Sequence, residues 1–171
     1  AIDAGLYITI GAEVDDAFIA ELKKQIINPE VIKEVADDIK IVYTPFNGTG
    51  NVPARRILKE IGFKNVYVVP EQEMPDPKFT TLDYPNPEDP KAFTLALKLA
   101  KEVQADIVLA TDPDADRLGI YAYDTKSGEY VPFTGNMSGM LIAEYILSQR
   151  KAKGTMPANP ALVKTIVTTN M

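Results

Sequence analysis

The sequence predicts an α/β domain in which a mixed, mostly parallel sheet of about four strands lies between helices, with the last strand antiparallel. Short β-rich runs and stretches with helical spacing alternate along the chain in the order β-α-β-loop-α-β-β-α. Too few residues separate the last two strands for a crossover helix, so the second of them is predicted to run antiparallel to its predecessor. Right-handed crossovers between the earlier strands place helices on both faces of the sheet.

The strands are predicted from short runs of β-branched and aliphatic residues. The first ends at Pro45 and the second is closed by Pro70. The third, four apolar residues and a threonine, is typical of a buried strand. The predicted strands are 39–44, 66–69, 107–111 and 118–123, with a turn at 125–128 after the last.

Five helices are predicted from apolar residues at helical spacing and from start and stop signals. Gly62 ends the third helix, and Met137 and Met140 of the last helix are assigned to the core. Residues 70–90 hold six of the 13 prolines and are predicted to form an extended, stiff loop without regular structure. The start signals of the helices are Asp15 and Asp16, Asn28-Pro29, Asn51, Asp89-Pro90 and Asn136.

The two ends of the chain are predicted to belong to neighbouring domains. Residues 6–10 form a strand-like run with no partner nearby in sequence, and 161–168 begin a fresh strand pattern. An edge strand of this same domain is the alternative for the second run. The predicted division is a tail of a preceding domain at 1–12, one domain at 13–160, and a truncated first strand of a following domain at 161–171.

Composition excludes several classes of function. The 171 residues carry a net charge of −6 and no basic stripe, which argues against a nucleic-acid surface. The lack of cysteine and histidine removes disulfides, thiolate and histidine metal sites, catalytic triads and histidine general bases. No apolar run approaches the roughly 18 residues that cross a bilayer, no signal-peptide pattern opens the chain, and a cytoplasmic location is expected.

Three aspartates directly after the third strand are the most informative feature. Asp112, Asp114 and Asp116 alternate with other residues, so in an extended segment their side chains point to one side. Three like charges this close repel by several kcal/mol, on the order expected from Coulomb's law, unless a cation neutralises them. Mg²⁺ takes carboxylate oxygens, and Arg117 adds a permanent positive charge suited to phosphate. The pattern therefore predicts a metal or phosphate site.

Other interpretations of the aspartates fit less well. An EF-hand needs glycine and glutamate where this chain has Arg117 and Tyr123. Haloacid-dehalogenase-type phosphatases use the first aspartate of an Asp-x-Asp pair as nucleophile but usually have threonine where Asp116 stands, and this hypothesis stays as a minor alternative. The interpretation as a solvated turn is less favoured, because the loop follows a buried strand at the sheet edge where ligands gather.

The segment Gly48-Thr49-Gly50 follows the first strand and is predicted to lie at the same sheet edge. Its backbone amides in front of a helix can cradle an anion, which makes Gly48 and Thr49 candidate phosphate-binding residues. It lacks the Lys-Ser/Thr ending of a P-loop and the third glycine of a dinucleotide-binding fingerprint. A tight strand-to-helix turn is therefore an equally good interpretation.

Together these motifs resemble the α-D-phosphohexomutase family, which includes bacterial phosphoglucomutases and phosphomannomutases and phosphopentomutase-like relatives. The resemblance runs from about Glu13 to Asn170. It rests on five segments: Thr44-Pro45-Phe46-Asn47-Gly48-Thr49-Gly50, Pro75-Asp76-Pro77-Lys78-Phe79, Pro85-Asn86-Pro87-Glu88, Thr111-Asp112-Pro113-Asp114-Ala115-Asp116-Arg117 and Gly135-Asn136.

The resemblance implies a second, metal-binding domain of an enzyme whose four domains surround one cleft. It implies that Asp112, Asp114 and Asp116 bind Mg²⁺ and that Arg117 is a catalytic residue that helps hold the phosphoryl group or its loop. A chain without histidine cannot contain the family's Ser-His-Asn-Pro phosphoserine loop, and the sugar and phosphate loops are also missing. Asn47 stands where many relatives have histidine and cannot titrate. The implied partners are the remaining domains and a hexose phosphate.

The implied activity is that of a phosphoglucomutase, which interconverts glucose 1-phosphate and glucose 6-phosphate through a phosphoserine and a bisphosphate intermediate. Phosphomannomutase or phosphopentomutase is the alternative within the family, because the residues that choose the sugar lie outside this domain. This segment alone is expected to be inactive. A free-standing cation- or phosphate-binding module is the hypothesis from another class, and it predicts a stable monomer with a preformed site.

Overall fold

A computed structural model describes residues 2–166 and contains a five-stranded mixed sheet flanked by helices. The strands are β1 Lys40–Thr44, β2 Asn65–Val68, β3 Ile107–Thr111, β4 Leu118–Asp124 and β5 Glu129–Phe133. The helices are α1 Ala12–Lys23, α2 Pro29–Val35, α3 Asn51–Ile61, α4 Pro70–Glu73, α5 Thr94–Val103 and α6 Gly135–Ala152, with a 3-10 turn at Pro90–Phe93 before α5. The predicted α/β class is confirmed.

The order of strands in the sheet is β2-β1-β3-β4-β5. β1 pairs in parallel with β2 and with β3, and β3 pairs antiparallel with β4, as its short connection predicted. β5 pairs antiparallel with β4 and adds one strand to the number predicted. Four of the five strands therefore run in one direction, and β4 alone among them runs in the other.

The core lies between α5 and one face of the sheet. Val42 of β1 and Val108 of β3 point to this face and are fully buried, as are Ala96 and Ala100 of α5. Alanine has no side chain beyond Cβ, so the helix lies close to the strands. Tyr43 points to the opposite face because successive strand residues alternate. A Cβ on Gly50, the residue before α3, would lie 2.7 Å from the Tyr43 hydroxyl. The start of α3 is therefore on that face of the sheet.

Several local predictions are corrected by the structure. Asp15 and Asp16 lie within α1, which starts after Gly11, and Asn51 is the first residue of α3 rather than its cap. Thr134, not Asn136, caps α6, because its hydroxyl oxygen accepts a hydrogen bond from the Met137 N–H. A proline at the first helical position lacks only an N–H that would be unpaired there, so Pro70 starts a short helix in the predicted loop.

Neither of the two predicted terminal strands is found in the described residues. Residues 6–10 adopt no strand, and neither do residues 161–166. The end of the second run, residues 167 and 168, lies outside the described residues. None of the helices within residues 2–166 is long and apolar enough to cross a membrane.

Helix α6 leaves much of its apolar surface exposed. Met137 is 48% exposed, which contradicts its assignment to the core, and Leu141 and Ile142 are 57% and 51% exposed. The helix touches β4 and β5. Near its C-terminal end, the Asn28 amide donates hydrogen bonds of 2.9 Å to the Tyr145 hydroxyl and to Gln149 Oε1.

Candidate functional site

The aspartate loop, residues 112–117, connects β3 to β4 at the carboxyl end of the parallel strands. Residues 45–50, the β1–α3 loop, lie at the same edge because β1 and β3 are neighbours and parallel. The prediction that both loops lie at this edge is confirmed, and they also touch there, since the Thr49 N–H donates a 2.8 Å hydrogen bond to the Pro113 carbonyl oxygen. Ligands of open α/β sheets gather at this edge.

The three aspartates differ in burial but converge. Asp112 is buried, whereas Asp114 and Asp116 are exposed, and one carboxylate oxygen from each lies within 4.8 Å of the others. Two backbone contacts shape the loop around Asp112. Its carbonyl oxygen accepts a 3.0 Å hydrogen bond from the Ala115 N–H, and its Oδ1 accepts one of 3.0 Å from the Arg117 N–H.

Ala115 lies at the turn of the loop with a φ of 60°, in the left-handed region. A residue other than glycine costs about 1 to 2 kcal/mol in this conformation, so surrounding contacts must hold it. Because the loop turns here, Asp116 reaches the same point as Asp112 and Asp114. The sequence predicted an extended segment with the three carboxylates on one side. The structure has a turn instead, and the three carboxylates still converge.

Arg117 lies beside the carboxylates without being locked to them. Its Nε is 3.7 Å from Asp112 Oδ2 and 3.9 Å from Asp116 Oδ1, which are ion-pair distances longer than hydrogen bonds. Its side chain is about half exposed. The guanidinium therefore neutralises part of the negative charge and keeps donors available for a ligand such as a phosphoryl group.

The donor set fits a small hard cation. Mg²⁺ binds oxygen at about 2.1 Å, so two ligands at adjacent octahedral positions lie about 3 Å apart and two opposite ones about 4 Å apart. Carboxylate oxygens within 4.8 Å of one another need only small side-chain rotations to reach such positions. Two of the three aspartates are exposed and free to make them. No softer ligand such as cysteine or histidine is present in the chain.

The polar groups of Thr49 and Asn47 form hydrogen bonds within the protein. The Thr49 hydroxyl, like its N–H, donates to the Pro113 carbonyl oxygen, at 3.1 Å. Asn47 has a φ of 59° and donates from Nδ2 to the carbonyl oxygens of Met74, at 2.7 Å, and Glu71, at 3.3 Å. Asn47 thus ties the β1–α3 loop to α4, a contact that an amide makes at any pH.

An open cleft of about 760 Å³ lies next to the aspartate loop, between β4, β5 and the start of α6. Arg117 lines it together with Pro87, Phe133 and Asn136. Ser138 also lines it, and within residues 2–166 its hydroxyl is the one buried polar side-chain atom without a hydrogen-bond partner. Sequence reasoning missed most of this cleft because it missed β5, whose carboxyl end forms one wall.

Comparison with known proteins places the chain in a family. The family model described as "Phosphoglucomutase/phosphomannomutase, alpha/beta/alpha domain II" matches residues 16–125. These residues contain the β1–α3 loop and the whole aspartate loop. The chain therefore belongs to the α-D-phosphohexomutase family, and the matched part is its α/β/α domain II.

Individual relatives carry several phosphomutase names. The chain is 36% identical to a Haemophilus influenzae protein described as "Probable phosphomannomutase", over 92% of this chain and 32% of the relative. It is 37% identical to the phosphopentomutase of Mus musculus, over 86% and 24% of the two chains. It is 36% identical to the phosphoglucomutase of Staphylococcus haemolyticus, over 76% and 23%. The chain thus spans about a quarter to a third of the length of these relatives.

A solved structure supports the same fold. The phosphoglucomutase/phosphomannomutase family protein of Burkholderia thailandensis superimposes with a TM-score of 0.51 at 26% identity, over 72% of this chain and 26% of that one. As with the curated relatives, the matched region is a small part of a longer protein.

Proposed function

We propose that this chain is the Mg²⁺-binding domain of a phosphohexomutase and that Asp112, Asp114 and Asp116 hold the metal. The observation that carries the proposal is the convergence of three carboxylates within 4.8 Å on a loop that the family match includes. Three carboxylates and one Mg²⁺ leave a net charge of about −1, and Arg117 brings it to about zero. This balance suits a site that receives a phosphoryl dianion.

The roles of the residues follow from their positions. When bound, Mg²⁺ would supply Lewis-acid polarisation of the phosphoryl oxygens and would neutralise their charge. Asp112, which accepts a hydrogen bond from the Arg117 N–H, would be the buried ligand, and Asp114 and Asp116 would be the exposed ligands. Arg117 donates charge-assisted hydrogen bonds to the phosphoryl oxygens from the rim of the cleft. It is therefore the catalytic residue of this domain.

We propose glucose phosphates as the substrates, interconverted through a phosphoserine and a bisphosphate intermediate. The relative named phosphoglucomutase supports this choice, and those named phosphomannomutase and phosphopentomutase support mannose or pentose phosphates as the alternatives. The roles proposed for the residues of this site concern the phosphoryl group rather than the sugar ring. The choice of sugar therefore lies with residues elsewhere in a longer enzyme.

The proposed partners are further domains that carry the phosphoserine, sugar and phosphate loops. The short share of its relatives that this chain covers supports this, as does the exposed apolar surface of α6. An apolar helix face of this kind is typical of a surface that packs against another domain. This chain alone is then expected to bind Mg²⁺ weakly and to catalyse no mutase reaction.

The test is a Mg²⁺ titration of the chain by isothermal titration calorimetry, with the variants Asp112→Asn, Asp114→Asn and Asp116→Asn. Each is expected to weaken binding by more than about tenfold, because removing one charged ligand lowers affinity strongly. Asp124→Asn is the matched control, since Asp124 also accepts backbone hydrogen bonds in a turn, from Lys126 and Ser127, but lies outside the site. Equal affinity in all four variants and the parent would refute the metal assignment.

A second measurement tests the dependence on other domains. The chain is assayed with glucose 1-phosphate, glucose 1,6-bisphosphate and Mg²⁺, alone and after mixing with the phosphoserine-bearing remainder of a family member. Activity only in the mixture, abolished by Asp112→Asn, is the expected result. Turnover by the chain alone would instead support an independent enzyme, and hydrolysis of phosphate esters alone would support the phosphatase alternative.

A further inference from the structure

We propose that Thr49 and Gly48 are positioning residues that fix the aspartate loop in its metal-binding shape. This inference rests on the proposed function, because it concerns how the metal site is held. Thr49 donates twice to one acceptor, the Pro113 carbonyl oxygen, at 2.8 Å from its N–H and at 3.1 Å from its hydroxyl. Pro113 lies between the first two aspartates in the sequence, so its position determines where both start.

Gly48 brings the two loops into direct contact. A Cβ at this position would lie 2.4 Å from Pro113 Cα, 2.5 Å from its carbonyl oxygen and 2.8 Å from its carbonyl carbon. All three are backbone atoms, which cannot rotate away as the end of a side chain can. Any residue larger than glycine must therefore move the Pro113 backbone, and the aspartates move with it.

The β1–α3 loop is a firm support because it is anchored on two other sides. Phe46 is fully buried, with its ring packed edge-on to Phe93 at 5.7 Å. Asn47 is tied to α4 through the Met74 and Glu71 carbonyl oxygens, and its own N–H donates to the Gln72 carbonyl oxygen at 2.9 Å. The tip formed by Gly48 and Thr49 thus projects from a fixed base onto Pro113.

The aspartate loop needs such a support. Ala115 lies in the left-handed region, and two of the three carboxylates are exposed. Without the cation, mutual repulsion of the carboxylates favours a more open loop. Because both Thr49 donors and the Gly48 contact act on Pro113, they hold the closed shape before the metal arrives. Such preorganisation raises affinity by removing the cost of ordering the ligands on binding.

The position of these two residues assigns them a role different from direct phosphate binding. Both hydrogen-bond donors of Thr49 already point to Pro113, so a phosphate cannot be bound by them without releasing the loop. The predicted phosphate cradle and the positioning role therefore make opposite predictions for the chain with metal alone. Only the positioning role links Thr49 to Mg²⁺ affinity when no phosphate is present.

The experiment measures Mg²⁺ affinity of the chain by isothermal titration calorimetry, and the backbone amide NMR shifts of residues 112–117, for five variants. Thr49→Val removes the hydroxyl donor and is expected to weaken Mg²⁺ binding roughly three- to tenfold, in line with the loss of one supporting hydrogen bond. Thr49→Ser keeps both donors and is expected to restore parent affinity. Gly48→Ala is expected to weaken binding further, with shift changes at Asp114 and Ala115.

Thr80→Val is the matched control, because the Thr80 hydroxyl also donates to an acceptor in a loop, here the Asp76 carboxylate at 2.6 Å, but lies outside the site. Thermal unfolding of each variant separates loss of fold from loss of metal. Parent-like Mg²⁺ affinity in Thr49→Val, with Asp112→Asn still impaired, would overturn the positioning role alone. Parent-like affinity in Asp112→Asn as well would overturn the proposed metal site itself. An equal loss in Thr49→Val and Thr49→Ser would also contradict the role assigned to the hydroxyl.

Discussion

The parallel part of the sheet, β1 to β3 under α5, and the antiparallel part, β4 and β5 with α6, bury their apolar residues to very different extents. Val108 and Ala100 in the first part are fully buried, whereas Leu141 and Ile142 in the second are more than half exposed. Burial of apolar area is the main source of stability, at roughly 25 cal/mol per Å². The parallel part is therefore expected to carry most of the folding free energy, whereas α6 leaves apolar surface exposed.

The aspartate loop lies at the junction of the two parts. It leaves β3, where Asp112 is buried, and enters β4, where Arg117 and Leu118 are exposed on the rim of the cleft. One end of the site is thus fixed by the rigid core and the other faces open space. This asymmetry suits the proposed role, in which the loop holds a cation at a fixed place and admits a phosphoryl group from the cleft.

The largest expected effect in the comparison comes from Phe93→Ala in the parallel part. Phe93 is fully buried and contacts the rings of Phe46, at 5.7 Å, and Tyr121, at 4.6 Å between centroids. Its removal leaves a cavity and is expected to lower the free energy of unfolding by about 3 to 5 kcal/mol. Leu141→Ala on α6 is the control from the antiparallel part, and because Leu141 is 57% exposed it is expected to cost under about 1 kcal/mol. Chemical denaturation measures both, and similar losses would contradict the asymmetry.

Smaller changes in stability, opposite in sign, are expected when each of two glycines is replaced by alanine. In β4, a Cβ on Gly119 would lie 2.6 Å from Pro87 Cβ and 2.7 Å from Phe93 Cζ, so Gly119→Ala is expected to destabilise by about 1 to 3 kcal/mol. In α6, a Cβ on Gly139 meets nothing within 4 Å, so Gly139→Ala is expected to stabilise by about 0.5 to 1 kcal/mol. The midpoints of urea unfolding of the two variants, each compared with that of the parent, measure both changes in stability. Destabilisation by Gly139→Ala would show that α6 is packed more tightly than its exposure indicates.

The fold was largely predictable where local chemistry and packing agree. Strands β1 to β4 follow from their apolar runs, and the antiparallel β4 follows from the short connection that also carries the aspartates. β5 escaped prediction because Pro132 argues against a strand in the interior of a sheet. The structure places it at the sheet edge, paired with β4 alone, where proline is tolerated.

The helix caps and the burial of α6 depend on contacts that the sequence pattern does not contain. Asn51 and Asn136 are good capping residues, but Gly50 and Thr134 take the positions before the helices. Apolar residues at helical spacing predict a buried face, and the exposed Met137 shows that this spacing does not say which surface covers it. In sequence, a helix face that packs on the core of its own domain has the same apolar spacing as one that does not.

For the site, the sequence predicted the residue types and their neighbourhood but not their hydrogen bonds. The convergence of the three aspartates and the nearness of Arg117 are confirmed. The Mg²⁺ and phosphate roles stay predictions. The hydrogen bonds from Thr49 to the Pro113 carbonyl oxygen were not predictable, because they join residues 64 positions apart along the chain.

The smallest effect tests a hydrogen-bonded link between the two parts, made by Tyr130 of β5. Its hydroxyl donates to the carbonyl oxygens of Ala100, at 2.9 Å, and Ala105, at 2.7 Å, just beyond α5. Tyr130→Phe is expected to cost about 1 kcal/mol at neutral pH, since two acceptors lose one shared donor. Burial raises the pKa of the Tyr130 phenol, and the nearby Asp106 carboxylate raises it further.

The sign of the pH dependence follows from that raised pKa. The folded chain holds the proton more tightly than the unfolded chain, so the stabilisation is complete below the ordinary tyrosine pKa of about 10. It is lost as the pH rises through the folded value. Urea unfolding between about pH 8 and pH 11 should therefore show a shallower fall in Tyr130→Phe than in the parent. Some fall should persist, because burial also raises the pKa of Tyr43 and Tyr121. Identical pH profiles for the variant and the parent would mean that Tyr130 does not link α5 to the antiparallel part in solution.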